Sequence, residues 1–300
     1  MDHLPNEILS HIFSYLLNER EKHRLRDDWI DQILPVRLQS GDTIEGDFDS
    51  WHHLLETDSI RIAVRRVAIE TAPRDCELED GNDILSWPDS WLDYCDWPEF
   101  ASAISRICDM PNLNSLTLRF SMFCLSEDYR EVLQEPPETR ARVLKLVSEA
   151  LRDRGSRPET STVRELVLSN LEDTPLPKDL TYNLLRSIDR LHMCFTYAYE
   201  DRESSVLSPY IQKTLLPSLV ERLVELTLAG WLWGAIPVEF NGKCLSFPRL
   251  KRLKLDHYII LRQDQFDWVL EPPSLIDLLT TCQEPQWVCT RVLKQLIDRH

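Results

Sequence analysis

A hydrophobic residue or proline followed by Pro-x-Leu opens several short apolar runs in this chain. Met110-Pro111-Asn112-Leu113 leads into Ser115-Leu116-Thr117-Leu118, and Phe247-Pro248-Arg249-Leu250 leads into Arg252-Leu253-Lys254-Leu255. Pro272-Pro273-Ser274-Leu275 precedes Ile276-Asp277-Leu278, and Leu216-Pro217-Ser218-Leu219 precedes Leu223-Val224-Glu225-Leu226-Thr227-Leu228. The stricter pattern Pro-x-Leu-x-x-Leu occurs three times, where 18 prolines and 47 leucines among 300 residues predict less than one by chance. Self-similarity of this kind is the signature of a repeated structural unit.

A looser run, L-x-x-L-x-L with Val, Ile or Met allowed, adds residues 64–69, 163–168 and 188–193. The fourth residue of successive runs falls at Leu166, Leu191, Leu226, Leu253 and Leu278, in steps of 25, 35, 27 and 25. Upstream, Val67, Leu116 and Leu166 are 49 and 50 apart, close to two repeats each. Alternation along each run predicts a strand with leucine facing inward and Asn, Arg, Glu or Lys facing out. Between runs, residues 138–152 place Val143, Leu146, Val147 and Ala150 on one face of a helix. A strand and its return segment cannot bury an apolar face alone, so successive units stack as a solenoid. The expected class is α/β, with an outward sheet surface suited to binding. A mixed α/β body without a true solenoid is the other arrangement these runs allow.

Several function classes are disfavoured. Only 7 glycines occur, and nothing matches a glycine-rich phosphate loop, which needs bare backbone near the phosphates. The formal charge of -16 repels nucleic acid and anionic lipid, so neither is an expected partner. No apolar run reaches the ~18 residues of a membrane span. The 8 cysteines form no C-x-x-C pair, and no secretory signal opens the chain. Reduced, mostly buried thiols and a cytoplasmic or nuclear location are therefore expected. No metal, cofactor or catalytic motif is recognisable, and the chain reads as a non-enzyme. A hydrolase with a dispersed nucleophile is the reading left for a deep polar pocket to support.

Residues 4–17 read LPNEILSHIFSYLL. Pro5 suits a first helical turn, Glu7 lies near the positive helix end, and Ile8, Leu9, Ile12, Phe13 and Leu16 form a broad apolar stripe. Such a stripe packs on its own body or on another protein. The order Leu4-Pro5, Glu7-Ile8-Leu9, Ile12-Phe13, Tyr15-Leu16 resembles the opening of an F-box. That family's module docks on a Skp-type adaptor and links a substrate receptor to a cullin–RING ubiquitin ligase. By this resemblance Leu4, Pro5, Ile8, Leu9, Ile12, Phe13 and Leu16 are adaptor-binding or module-core positions. Trp29 to Leu34 approximates the module's second half, and residues 39–50 read as a loop. The body resembles the irregular leucine-rich-repeat region of fungal F-box proteins. The position after each run holds Ser121, Leu171, Thr196, Trp231 or Tyr258 rather than a recurrent Asn or Cys.

The resemblance implies an F-box-like helical segment over residues 1–50 and a leucine-rich-repeat-like body over 51–300. It implies a substrate-recognition subunit of a Skp–cullin–F-box ligase that holds an unidentified target protein. The alternative is a repeat-like scaffold whose helix packs on its own body and recruits no ligase. Trp87, Trp91, Trp97, Trp231 and Trp233 are candidate partner-binding residues, or core anchors, since large aromatics dominate both settings. His192 and Cys194 alternate along a run and face one side, but lack a third ligand at metal spacing.

Overall fold

The computed structural model describes residues 33–37, 44–71, 97–121, 135, 137–196, 206–233, 240, 242, 245–258, 275 and 277–281. They form an α/β fold on one parallel sheet. Its strands are β1 (Ile33–Arg37), β2 (Arg66–Glu70), β3 (Ser115–Arg119), β4 (Glu165–Glu172), β5 (Arg190–Thr196), β6 (Glu225–Trp233), β7 (Arg252–Tyr258) and β8 (Asp277–Thr281). Their order in space is their order in the chain, β1 to β8, and every neighbouring pair is parallel. Parallel neighbours require a crossover between them. The described connections hold α1 (Ile44–Glu56), α2 (Asp58–Ala63), α3 (Pro98–Ser105), α4 (Pro137–Gly155), α5 (Lys178–Leu185) and the short α6 (Leu207–Tyr210).

The Pro-x-Leu motif acts as a turn that delivers the chain into a strand. Leu113 N–H donates to Met110 C=O, Leu219 to Leu216 and Leu250 to Phe247, each an i to i+3 bond with proline at i+1. Proline's fixed φ suits that position. The residues at i and i+3 point inward, and Met110, Leu113, Leu216, Leu219, Phe247 and Leu250 are all fully buried. The motif therefore supplies the turn and two core side chains at once.

A second recurrent step locks neighbouring units together. Arg65 C=O accepts from the N–H groups of Asn114 and Ser115, and Asn114 C=O from Arg164 and Glu165. Arg164 C=O does the same for Asp189 and Arg190, Asp189 for Val224 and Glu225, and Val224 for Lys251 and Arg252. Each strand start is satisfied by the preceding unit, so register passes along the sheet. Val67, Leu116, Leu166, Leu191, Leu226, Leu253 and Leu278 consequently stand side by side. All of these but Leu278, whose side chain is not described, belong to one continuous apolar core, with Ile69, Leu118, Leu168, Met193, Leu228 and Leu255 two residues on.

Three expectations need correction. The 49- and 50-residue intervals are single long units, because β2 pairs directly with β3 and β3 with β4. The second interval contains α4, whose 19 residues span roughly 28 Å at the ordinary helical rise. Residues 44–50, read as loop, begin α1, whose Phe48, Trp51 and Leu55 are buried. Ile33 and Leu34, read as the end of a helical module, belong to β1, paired with β2. The expected boundary at residues 50 and 51 thus falls inside a helix, and the sheet extends to its N-terminal side.

Candidate partner-binding face

Strand residues that alternate with the buried leucines form the opposite face of the sheet. Nearest the strand starts, the register aligns Glu165, Arg190, Glu225, Arg252 and Asp277. Their signs alternate strictly. Arg190 Nη2 lies 3.5 Å from Glu165 Oε2, and Arg252 Nη1 donates to Glu225 Oε1 at 2.9 Å. Such half-exposed cross-strand pairs contribute only about 0.2–1 kcal/mol each. Their consequence is order: opposed charges hold long side chains in place along the sheet rather than letting them sweep over it.

The next row is smaller and mostly uncharged. It contains Thr117, Val167, His192 and Thr227, then Lys254. His192 Nδ1 and Thr227 Oγ1 are 2.8 Å apart, and Nε2 lies 3.8 Å from Glu165 Oε1. Burial pushes the His192 pKa below its usual value; Glu165 and Glu225 oppose that shift, and Arg190 reinforces it. Further along lie Ser169, Cys194 and Asp256, with Lys254 Nζ 3.4 Å from Asp256 Oδ2. Burial pushes the Cys194 thiol up, against the Asn170 backbone N–H that lowers it, so the sulfur stays protonated at neutral pH. At the β2 edge Ala68 and Glu70 are buried, so the half-exposed surface runs from β3 to β7.

His192 yields a direct prediction. A folded-state pKa below the unfolded value means that the unfolded chain binds this proton more tightly. Stability should therefore fall as pH drops through about 6.5 toward the lower folded pKa. The imidazole should titrate below the ordinary range by proton NMR, and lower still in Glu165→Gln. His192→Gln should flatten that limb of the stability curve. A midpoint at or above the ordinary histidine value would contradict the desolvation account.

Other expected sites fall elsewhere. Leu4, Pro5, Ile8, Leu9, Ile12, Phe13 and Leu16 lie outside the described residues, as do Trp87 and Trp91. Trp231 and Trp233 lie in β6, with side chains not described. Trp97 is buried, stacked on Phe100 at 5.4 Å and edge-on to Phe48 at 5.5 Å between ring centroids. His52 Nδ1 meets Arg106 Nη1 at 3.3 Å, and exposed His53 faces Glu56 at 3.6 Å. Among the described residues no group of three or more His, Cys, Asp or Glu could hold a metal ion. No helix among them is long and apolar enough to cross a membrane.

The alternating charge row was not anticipated, although its signal is in the sequence. The residue before each inward leucine reads Glu165, Arg190, Glu225, Arg252, Asp277. It becomes meaningful only when the runs are known to be consecutive neighbours. No model of a known protein family matches this chain, and no curated protein or solved structure does. The fold and face define an α/β protein with one parallel sheet, helices packed on one side and an ordered polar surface on the other.

Proposed function

We propose that this chain is a non-enzymatic adaptor, the substrate-recognition subunit of a Skp–cullin–F-box ubiquitin ligase. Its N-terminal segment engages a Skp-type adaptor through Leu4, Pro5, Ile8, Leu9, Ile12, Phe13 and Leu16. The sheet face from β3 to β7 holds the target, and other subunits perform the ubiquitin transfer in cytoplasm or nucleus. The observation that carries this reading is the half-exposed row of paired charges beside small residues on an otherwise well-buried sheet. Charged groups so arranged give a binding surface orientation and selectivity more than raw affinity. The sequential parallel strands and the repeated N–H pairs on one carbonyl support an irregular leucine-rich-repeat-like solenoid. The resemblance of residues 4–16 to an F-box supports the ligase connection.

Co-purification with a Skp-type adaptor tests the connection. The wild-type chain should retain the adaptor, and Ile8→Asp/Ile12→Asp should lose it, because two buried carboxylates in an apolar interface cost several kcal/mol. Arg190→Gln/Lys254→Gln should keep the adaptor but lose the target, with a stability loss of only about 1 kcal/mol from the pairs to Glu165 and Asp256. Failure of the wild-type chain to retain any adaptor would overturn the ligase assignment. A second reading, a protein-binding scaffold without ligase recruitment, is favoured by one observation. Ile33 and Leu34, which would complete a docking module, are committed to β1 of the body.

A further inference from the structure

A cleft of about 130 Å³ lies between the C-terminal ends of α4 and α5, among helix ends rather than on the sheet face. It is comparable to an engineered cavity of about 150 Å³ that accepts a benzene-sized ligand. Among the described residues four arginines line it, Arg152, Arg154, Arg157 and Arg186, and no carboxylate does. That composition is the reverse of the whole chain, in which 50 acidic residues outnumber 34 basic ones.

The ordinary role of arginine at a helix C-terminus is to satisfy terminal carbonyls. Two of the four are used in related ways. Arg154 donates to loop carbonyls, and Arg157 donates to Cys108 C=O at 3.0 Å and Asp109 Oδ1 at 3.1 Å. Arg186 is not. Its guanidinium has no hydrogen bond or ion pair among the described residues. It arches across the end of α4, where a side-chain carbon on Gly155 would lie 3.9 Å from Nη2. Among the described residues Arg152 meets only the adjacent, exposed Asp153, at 3.4 Å.

Several of the helix-end carbonyls that would repel an anion already have donors. Arg152 C=O accepts from Ser156 Oγ, and Arg154 C=O accepts from Arg157 N–H and Thr160 Oγ1. Tyr182 C=O accepts from Arg186 N–H, and Leu185 C=O from Ile188 N–H and Arg222 Nη2. The hydroxyls of Thr162 and Ser187 and the amide of Asn183 also line the cleft, without side-chain hydrogen bonds among the described residues. The formal charge left uncommitted at the cleft is therefore positive.

We propose that this cleft binds a phosphate-type oxyanion, with Arg186 and Arg152 as its cationic ligands and Thr162, Ser187 and Asn183 as neutral donors. Planar guanidinium forks match phosphate oxygens two at a time, which is why arginine recognises this group in preference to a spherical anion. The volume accommodates one phosphoryl group rather than a nucleotide. The ligand is either free phosphate or a phosphoryl group carried by a partner's side chain. The inference stands whether or not the chain serves a ligase.

The test uses the full chain, with inorganic phosphate and a short phosphoserine peptide as probes. Binding is followed by calorimetry, and thermal midpoints are compared in sodium phosphate and sodium chloride of equal ionic strength. Saturable binding of either probe, weakened at least tenfold in Arg186→Ala and unchanged in Arg249→Ala, is expected. The exposed Arg186 should be removable without shifting the midpoint in chloride, and Thr162→Val supplies an independent second variant. A peptide bound at least tenfold more tightly than free phosphate assigns the ligand to a modified partner; the opposite order assigns it to the free ion. Binding no better than chloride, or retained in both Arg186→Ala and Thr162→Val, overturns the proposal.

Discussion

Arg154→Met should lower the unfolding free energy by at least about 3 kcal/mol, a large share of the 5–15 kcal/mol that holds a typical domain together. Arg154 is fully buried near the end of α4. Its guanidinium donates to the carbonyls of Ile107, Met110, Pro111, Leu113 and Ser161, at distances that include 2.9 Å to Ser161 and 3.2 Å to Leu113. Ile107 lies in the single helical turn Arg106–Asp109, and the other carbonyls belong to the turns that deliver β3 and β4 into the sheet. Burial pushes the pKa of Arg154 down to about 10, so its charge persists at neutral pH but is held at a cost. The donors outweigh that cost, since each buried carbonyl left unpaired costs about 1–3 kcal/mol. Arg154→Lys should also destabilise, because one ammonium cannot reach a fan of five acceptors. Urea unfolding followed by circular dichroism measures both variants. A loss below 1 kcal/mol in Arg154→Met would show that water substitutes readily for the guanidinium.

Arg140→Met should cost about 3–5 kcal/mol, and the loss should grow with pH. Arg140 is fully buried in the first turn of α4 and donates to Glu135 C=O at 2.9 Å, Ser121 C=O at 2.8 Å and Asn170 C=O at 2.5 Å. Its guanidinium also lies over the Phe120 ring, 5.7 Å from the centroid. Glu135 is fully buried; its Oε2 accepts from Ser121 N–H at 2.5 Å, and its Oε1 has no partner among the described residues. Burial raises the Glu135 pKa, while Arg140, Thr71 and the Ser121 N–H hold it down. Without Arg140 the pKa rises further. A carboxyl whose folded pKa exceeds its unfolded value stabilises below the unfolded value, and that contribution is lost as pH rises through the folded pKa. The deficit of Arg140→Met should therefore be smaller at pH 5 than at pH 8, and Glu135→Gln in the same chain should remove that difference. A pH-independent deficit would place the cost in the three carbonyls alone.

The two arginines explain why α4 is a long helix. They are 14 residues apart, roughly 21 Å along the axis. Arg140 binds a carbonyl near the end of β4 and one just past the end of β3, and Arg154 binds the segments that precede both strands. From Leu113 to Ser121 an extended chain covers roughly 26 Å. One helix, running back along two strands, thus clasps both of their ends. The apolar face read from the sequence, Val143, Val147 and Ala150, is the buried face, with Leu146 packed at its margin. Continued by one turn at each end, that stripe includes Arg140 and Arg154. Arginine on an apolar stripe ordinarily signals the stripe's edge, and nothing local shows that carbonyls converge there.

The same division holds at Asn170. Counting along the run places Leu171 after the strand, on the face opposite Leu168. In the structure Asn170 takes a positive φ of 57°, the β4–β5 register shifts between Leu168 and Leu171, and Leu171 turns into the core. Asparagine tolerates this conformation better than most residues. Here its side-chain amide also donates to Phe120 C=O, just past the end of β3, at 2.9 Å. The shift depends on a neighbouring strand whose residues lie 50 positions away, so no window around residue 170 contains the reason for it.

Local and periodic features are legible in the residues alone: the turn at hydrophobic-Pro-x-Leu, the inward leucine rows, their register at Leu166, Leu191, Leu226, Leu253 and Leu278, and the α/β class. Alternation of apolar side chains and proline's fixed φ act over a few residues, and repetition copies the result along the chain. Long-range contacts, by contrast, make each long interval a single unit, join β1 to the sheet, and place buried arginines instead of apolar residues at both ends of α4. It also brought Arg152 and Arg186 to one cleft and set Glu165, Arg190, Glu225 and Arg252 in one row. These depend on which distant carbonyls and charges become neighbours, and desolvated polar groups draw their energy from those neighbours rather than from the pattern around them.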